Sequence, residues 1–145
     1  MKFVVSTVTL INGLRTISDV FEPSSLPILR NFLFEIREGK MRISCANKKD
    51  LVNAELKVES KDSGCFALSP RVLLDILKCF PEQQLTFKIN KETLRMRVIS
   101  ETGFTMLRGA NAEKLRKEIR KRHPNALSNR HNSEIKITDS IHISN

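Results

Sequence analysis

The 145-residue chain contains no Trp and no Tyr, and its only aromatic residues are eight Phe. A site built on an indole or a phenol is therefore excluded. Cysteine is sparse: Cys45, Cys65 and Cys79 form an odd set with no CxxC pair, which argues against a disulfide framework or a zinc knuckle and for three small, partly buried hydrophobes. The three histidines (His123, His131 and His142) all fall in the last quarter, at no metal-ligand spacing, so neither a metal nor another cofactor is expected. No apolar run approaches the roughly 18 residues of a membrane span. The opening Met1-Lys2-Phe3-Val4-Val5-Ser6 lacks a signal peptide's apolar stretch, so a cytoplasmic address and no membrane partner are expected. There is no GxxxxGK, no HExxH and no arguable Ser/His/Asp cluster, and an enzyme is not expected.

An apolar content of 40% marks a globular chain, and the length suits one domain with a real core. Net charge is +9 and unevenly spread: residues 1–109 hold 17 basic and 12 acidic groups, and residues 110–131 hold 7 and 2. A mildly basic domain over 1–109 thus precedes a strongly basic segment within 110–145. A polyanionic partner, most simply nucleic acid, fits that balance, although many basic proteins bind none.

Hydrophobic periodicity divides the chain into two similar halves. Lys2–Val5 reads as a strand, and Ser6 as the cap of a helix striped by Leu10, Leu14, Ile17 and Phe21. Glu22-Pro23-Ser24-Ser25 stops that helix, and strand-like runs follow at Leu26–Ile36, Met41–Ala46 and Leu51–Glu59. The order then repeats. Cys65–Leu68 is a strand, Ser69 a cap, Pro70 the first helical residue, and Leu73, Ile76, Leu77 and Phe80 the stripe. Strands at Leu85–Ile89, Leu94–Ile99 and Phe104–Leu107 close the second half. At an offset of 63 residues, Phe3-Val4-Val5-Ser6 lies on Phe66-Ala67-Leu68-Ser69, and Leu10, Leu14 and Ile17 lie on Leu73, Leu77 and Phe80. The expected fold is α+β: a duplicated βαβββ unit with two helices on one face of antiparallel sheet. The outward helix faces then carry Asn12, Arg15, Thr16 and Asp19 in the first half and Arg71, Asp75 and Lys78 in the second. Such a face reads equally as a plain solvated surface.

The opening Met1-Lys2-Phe3, the stretch Leu26-Pro27-Ile28-Leu29-Arg30-Asn31-Phe32-Leu33-Phe34 and the stretch Ile76-Leu77-Lys78-Cys79-Phe80-Pro81-Glu82 occur in a telling order and spacing. Over about residues 1–109 the chain resembles the N-terminal domain of the bacterial DNA polymerase III beta subunit, the beta sliding clamp. The resemblance implies the DNA-clamp fold. It also implies a non-catalytic processivity factor of DNA replication, in which two three-domain subunits close a ring around duplex DNA with helices lining the hole. A slider touches phosphates, which carry no sequence information. Arg71, Lys78, Arg15 and Asn12 are thereby expected to face duplex DNA, and Phe104 and Met106 to lie on an edge strand at a subunit interface. The chain departs from the family in reading Pro23-Ser24-Ser25 where a basic DNA-contacting residue can stand, and Asn47-Lys48-Lys49-Asp50 where many clamps are acidic. Counterparts of the second and third domains, which hold the family's partner-binding pocket, are not seen in it, so recruitment through that pocket is not expected.

Residues 111–123 read as a helix capped by Asn111, with only Ala112, Leu115 and Ile119 apolar. It suits either a phosphate-binding arm or a solvated helix with pairs such as Glu113–Lys117. So narrow a stripe promises little burial, and a chain stopping near Ala110 is expected to lose little stability. Ser133–Ser144 alternates isoleucines as a weak strand or hairpin would. Three functions remain open: a DNA-binding or DNA-encircling module, a single-domain decoy that joins itself or a full-length sliding clamp through its edge strand, and a degenerate fragment.

Overall fold

The computed structural model describes residues 1–20, 26–124 and 135–136. Strand β1 (Lys2–Ser6) runs into helix α1 (Thr7–Val20). The Ser6 hydroxyl oxygen accepts the Thr9 N–H at 3.1 Å, a capping bond that turns strand into helix. Leu10, Leu14 and Ile17 are at most 1% exposed. Phe21, the expected end of that stripe, the Glu22–Ser25 stop and the Asp19 side chain lie outside the described residues.

The run from Leu26 to Ile36, expected as one strand, is two elements. Pro27–Arg30 is a 3₁₀ helix and strand β2 starts at Phe32. Pro27 opens the turn because it needs no N–H partner, and the Leu29 N–H bonds back to the Leu26 carbonyl at 3.0 Å. β2 (Phe32–Arg37) and β3 (Lys40–Ala46) are joined by Glu38 and Gly39, with φ of 53° and 75°. Two successive left-handed residues suit the twist of a two-residue hairpin. In the next turn, before β4 (Leu51–Lys57), Asn47 Oδ1 accepts the N–H groups of Lys49 and Asp50 at 2.9 and 2.7 Å.

The second unit repeats the order: β5 (Gly64–Leu68), α2 (Pro70–Leu77), β6 (Gln84–Ile89), β7 (Arg95–Ile99) and β8 (Phe104–Arg108). Ser69 caps α2 by accepting the Val72 N–H at 3.4 Å. Helix α3 (Ala112–Arg122) and the two-residue strand β9 (Ile135–Lys136) complete the described chain. β9 pairs parallel with β4; the rest of the Ser133–Ser144 segment lies outside the described residues. β7 begins one residue later than the pattern implied. Leu94 adopts a left-handed φ of 64° while its carbonyl accepts the Gly109 N–H at 2.7 Å.

The duplicated units exchange their first strands. The sheets are ordered β1-β6-β7-β8 and β5-β2-β3-β4-β9, so β1 of the first unit lies in the sheet of the second, and β5 in the sheet of the first. The registers match: Phe3 pairs with Phe87, and Phe66, 63 residues beyond Phe3, pairs with Phe34. Two isolated bridges, Val4 to Glu59 and Ala67 to Ala110, tie each exchanged strand, at positions 63 residues apart, to the chain leaving its own unit's last strand. The antiparallel sheet is thus two sheets, and their inner faces share one core with both helix stripes.

A second core occupies the outer face of the five-stranded sheet. Strand residues alternate between faces, so Phe32, Phe34 and Ile36 join the inner core, whereas Leu33 points outward to meet Leu29, Ala46, Leu51, Ala67, Leu115 and Ile119. Helix α3 covers this face. Leu115 and Ile119, expected to bury little, are fully buried (both 0% exposed). Two residues a helical turn apart suffice because the sheet supplies the other side of the contact. Arg116 pairs with Glu35 at 3.0 Å, and the His123 ring nitrogen Nε2 lies 3.0 Å from the Asn47 carbonyl oxygen. The helix is therefore tied to β2 near its middle and to the β3–β4 turn at its C-terminal end. Leu115→Ala or Ile119→Ala is expected to cost about 2–5 kcal/mol in denaturant unfolding. A chain stopped near Ala110 should melt more than about 5 °C lower; a smaller drop would show that α3 rests on the sheet without supporting it.

Candidate nucleic-acid interface

Helices α1 and α2 lie alongside each other, the start of one against the end of the other. The buried Thr7 hydroxyl sits 2.9 Å from the Gln83 carbonyl and 3.2 Å from that of Pro81, and the Gln83 N–H donates to Thr7 Oγ1 at 2.9 Å. The Val8 N–H donates to Glu82 Oε1 at 3.2 Å. Below α1, buried Gly13 leaves room for the sheet: a Cβ there would stand 2.9 Å from Leu56 Cδ2. The apolar stripes face inward, so the polar faces point out together.

Arg15, Arg71 and Lys78 are exposed, and Asn12 is half-buried with its carbonyl accepting the Thr16 hydroxyl at 2.8 Å. Arg71, Asp75 and Lys78 line a groove of about 410 Å³ floored by Leu29, Phe32 and Leu74. Ser18 of α1 reaches its edge, one turn beyond Arg15. Arg15, Arg71 and Lys78 form no ion pair with any described residue. Asp75 shares the face with them but bridges neither α2 cation.

A further cation joins them. Arg30 closes the same groove from the end of the 3₁₀ helix. As part of a strand its direction could not be argued; Pro27 at a helical first position signals the turn, though not the groove that Arg30 meets.

The basic tail lies elsewhere. α3 packs on the outer face of the five-stranded sheet, away from α1 and α2. Glu118, rather than the Glu113–Lys117 pair, organises its charges, accepting from Arg122 at 2.8 Å and Lys121 at 3.2 Å. Those hydrogen bonds, from Arg122 first, hold its carboxyl below the usual range.

Phe104 and Met106 are 60% and 45% exposed on β8, the edge of the four-stranded sheet. The Arg97 guanidinium carbon lies 4.6 Å from the Phe104 ring centroid. Elsewhere the chemistry is quiet. Burial pushes the Cys45 thiol well above its ordinary value, so it stays protonated and unreactive. Among the described residues no three His, Cys, Asp or Glu side chains converge to hold a metal, and no helix is long and apolar enough to cross a membrane.

Residues 1–115 match the family described as DNA polymerase III beta subunit, N-terminal domain. Solved structures with a similar fold include the beta subunit from Streptococcus pyogenes DNA polymerase (15% identity, TM-score 0.71, 79% of this chain and 31% of that one). Others are the DNA polymerase III subunit beta of Pseudomonas aeruginosa (17%, 0.69, 79% and 31%) and the Helicobacter pylori beta clamp (18%, 0.68, 79% and 30%). The chain thus spans about a third of the length of these structures. No curated protein sequence matches it.

Since Phe104 already faces solvent, Phe104→Lys should leave the fold intact. The expected loss is no more than about 1 kcal/mol, the worth of an exposed cation–π contact, read from thermal melting. Global unfolding of the variant would place the ring in the core.

Proposed function

The chain belongs to the family of the DNA polymerase III beta subunit, N-terminal domain, and on that premise we propose that it is a non-catalytic clamp module that rests on duplex DNA through the α1–α2 face. One observation carries the reading: Arg30, Arg71 and Lys78 surround a single groove, with Arg15 on the neighbouring helix. Phosphate backbone is the ligand such a face fits. Apart from Arg30, its cations stand on the sides of two helices that lie flat on the core, so neither helix can enter the major groove to read bases. Contact of that kind holds DNA and lets it slide. The role needs no reacting group, and it would place the protein in the cytoplasm with the replication machinery.

Exposed Phe104 and Met106 support a second part to the reading. A bare edge strand with apolar side chains invites another chain. The partner would be a further copy of this chain or the complementary domain of a full-length sliding clamp. One domain encircles DNA only as part of a closed multimer, so sedimentation with and without duplex reports on encirclement directly.

Duplex binding tests the helix face. Arg71→Glu with Lys78→Glu should weaken a labelled duplex at least about tenfold at low salt. It should also flatten the plot of log affinity against log salt by about 2, near 0.9 per lost phosphate contact. Unchanged binding would remove α2 from the site. Loss of full-clamp capture in Phe104→Lys, with duplex binding intact, would assign the edge to protein contact.

A further inference from the structure

The outer face of the four-stranded sheet, opposite the helices, carries a charge that the duplex reading does not use. Side-chain alternation sends Phe3, Val5, Leu85, Phe87, Met96, Val98 and Leu107 into the core. It therefore sends Lys2, Lys88, Arg95, Arg97 and Arg108 outward, all of them exposed. Register then sets like charges opposite one another: Lys2 pairs with Lys88, Lys88 with Arg97, and Arg95 with Arg108. Directly opposed side chains stand about 4.5–5.5 Å apart, and facing like charges oppose sheet formation. None of the five forms an ion pair with a described residue. Two carboxylates, Asp62 and Glu92, reach the rim of the face. Asp62 is engaged by the Lys2 backbone N–H at 2.9 Å, and Glu92 sits in the turn between β6 and β7. The cations surround an open hollow of about 1170 Å³.

We propose that this face is a second nucleic-acid surface, which takes a single strand by its phosphates. Three features select that occupant. The cations run as a row across four adjacent strands, and only a polyanion can neutralise the whole row at once. Phe104, with the Arg97 guanidinium over it, ends the row in a planar, cationic surface on which a base can stack. The hollow is open and is flanked by the loop carrying Asp62 and the turn carrying Glu92, so a flexible strand can follow it with its phosphates on the cations. The face is thus separate from the duplex site, and the two readings fail independently.

Fluorescence anisotropy with a labelled oligothymidylate tests it, alongside a duplex and a polyglutamate peptide. Lys88→Glu with Arg95→Glu is the informative variant. Each introduced carboxylate stands opposite a cation, so its melting temperature should equal or exceed that of the unmodified chain. Oligothymidylate affinity should fall at least about tenfold at low salt, and the salt slope should shrink by about 1.4, near 0.7 per phosphate on a single strand. Lys88→Glu alone should give about half that change, and duplex affinity should hold within about twofold. The proposal is overturned if the unmodified chain does not bind oligothymidylate, or if the double variant binds it undiminished. It also fails if Arg71→Glu with Lys78→Glu abolishes oligothymidylate binding equally, which puts the strand on the helix face. Polyglutamate binding as tight as the oligothymidylate, or an effect confined to Arg95 beside the β8 edge, gives the face to an acidic protein instead.

Discussion

Four phenylalanine rings cross the middle of the molecule in one stack. Phe87 lies on Phe3 at 4.7 Å, Phe3 on Phe66 at 5.7 Å, and Phe66 on Phe34 at 4.7 Å, with planes within 4–14° of parallel. The two central rings come from the exchanged strands β1 and β5, and the two outer ones from the strands they join. Aromatic pairs contribute about 0.5–1.5 kcal/mol beyond the area they bury, but the geometric consequence matters more here. The stack holds β1 and β5 side by side at the seam between the sheets. Each unit thereby lends a strand to the other, and neither closes its core alone. That the helices lie together, with their cations on one side, follows from this join.

The five-stranded sheet then becomes a middle layer. Its inner face packs on the helices, and its outer face is covered by α3 through Leu115 and Ile119. Alternation along β2 is what makes this possible: Phe34 serves one side and Leu33 the other. The four-stranded sheet has no such cover among the described residues, and its outer face is cationic. The two sheets are alike in origin and unlike in use, one buried on both sides and the other open.

Charge is sorted accordingly. The tail is the most basic stretch of the sequence, yet three of its cations, Arg116, Lys121 and Arg122, are engaged by Glu35 and Glu118. The helix pair and the open sheet each gather several cations that form no ion pair with a described residue. Counting charge along the chain would have favoured the tail as the place for a polyanion. Counting it by face favours the other two surfaces.

The sequence by itself determined the element order, both serine caps, both helix stripes, the 63-residue repeat and the family, because each depends on near neighbours or on residues a fixed period apart. It also placed Arg71 and Lys78 on one side of one helix, since helical spacing alone decides that. Only the tertiary structure decided the exchange of β1 and β5, the burial of Leu115 and Ile119, and the place of Arg30 in the groove. The reason is common to all three. A strand's partner, a short stripe's burial and a turn's orientation are fixed by surfaces far away in the chain, and local periodicity carries no record of what will lie opposite.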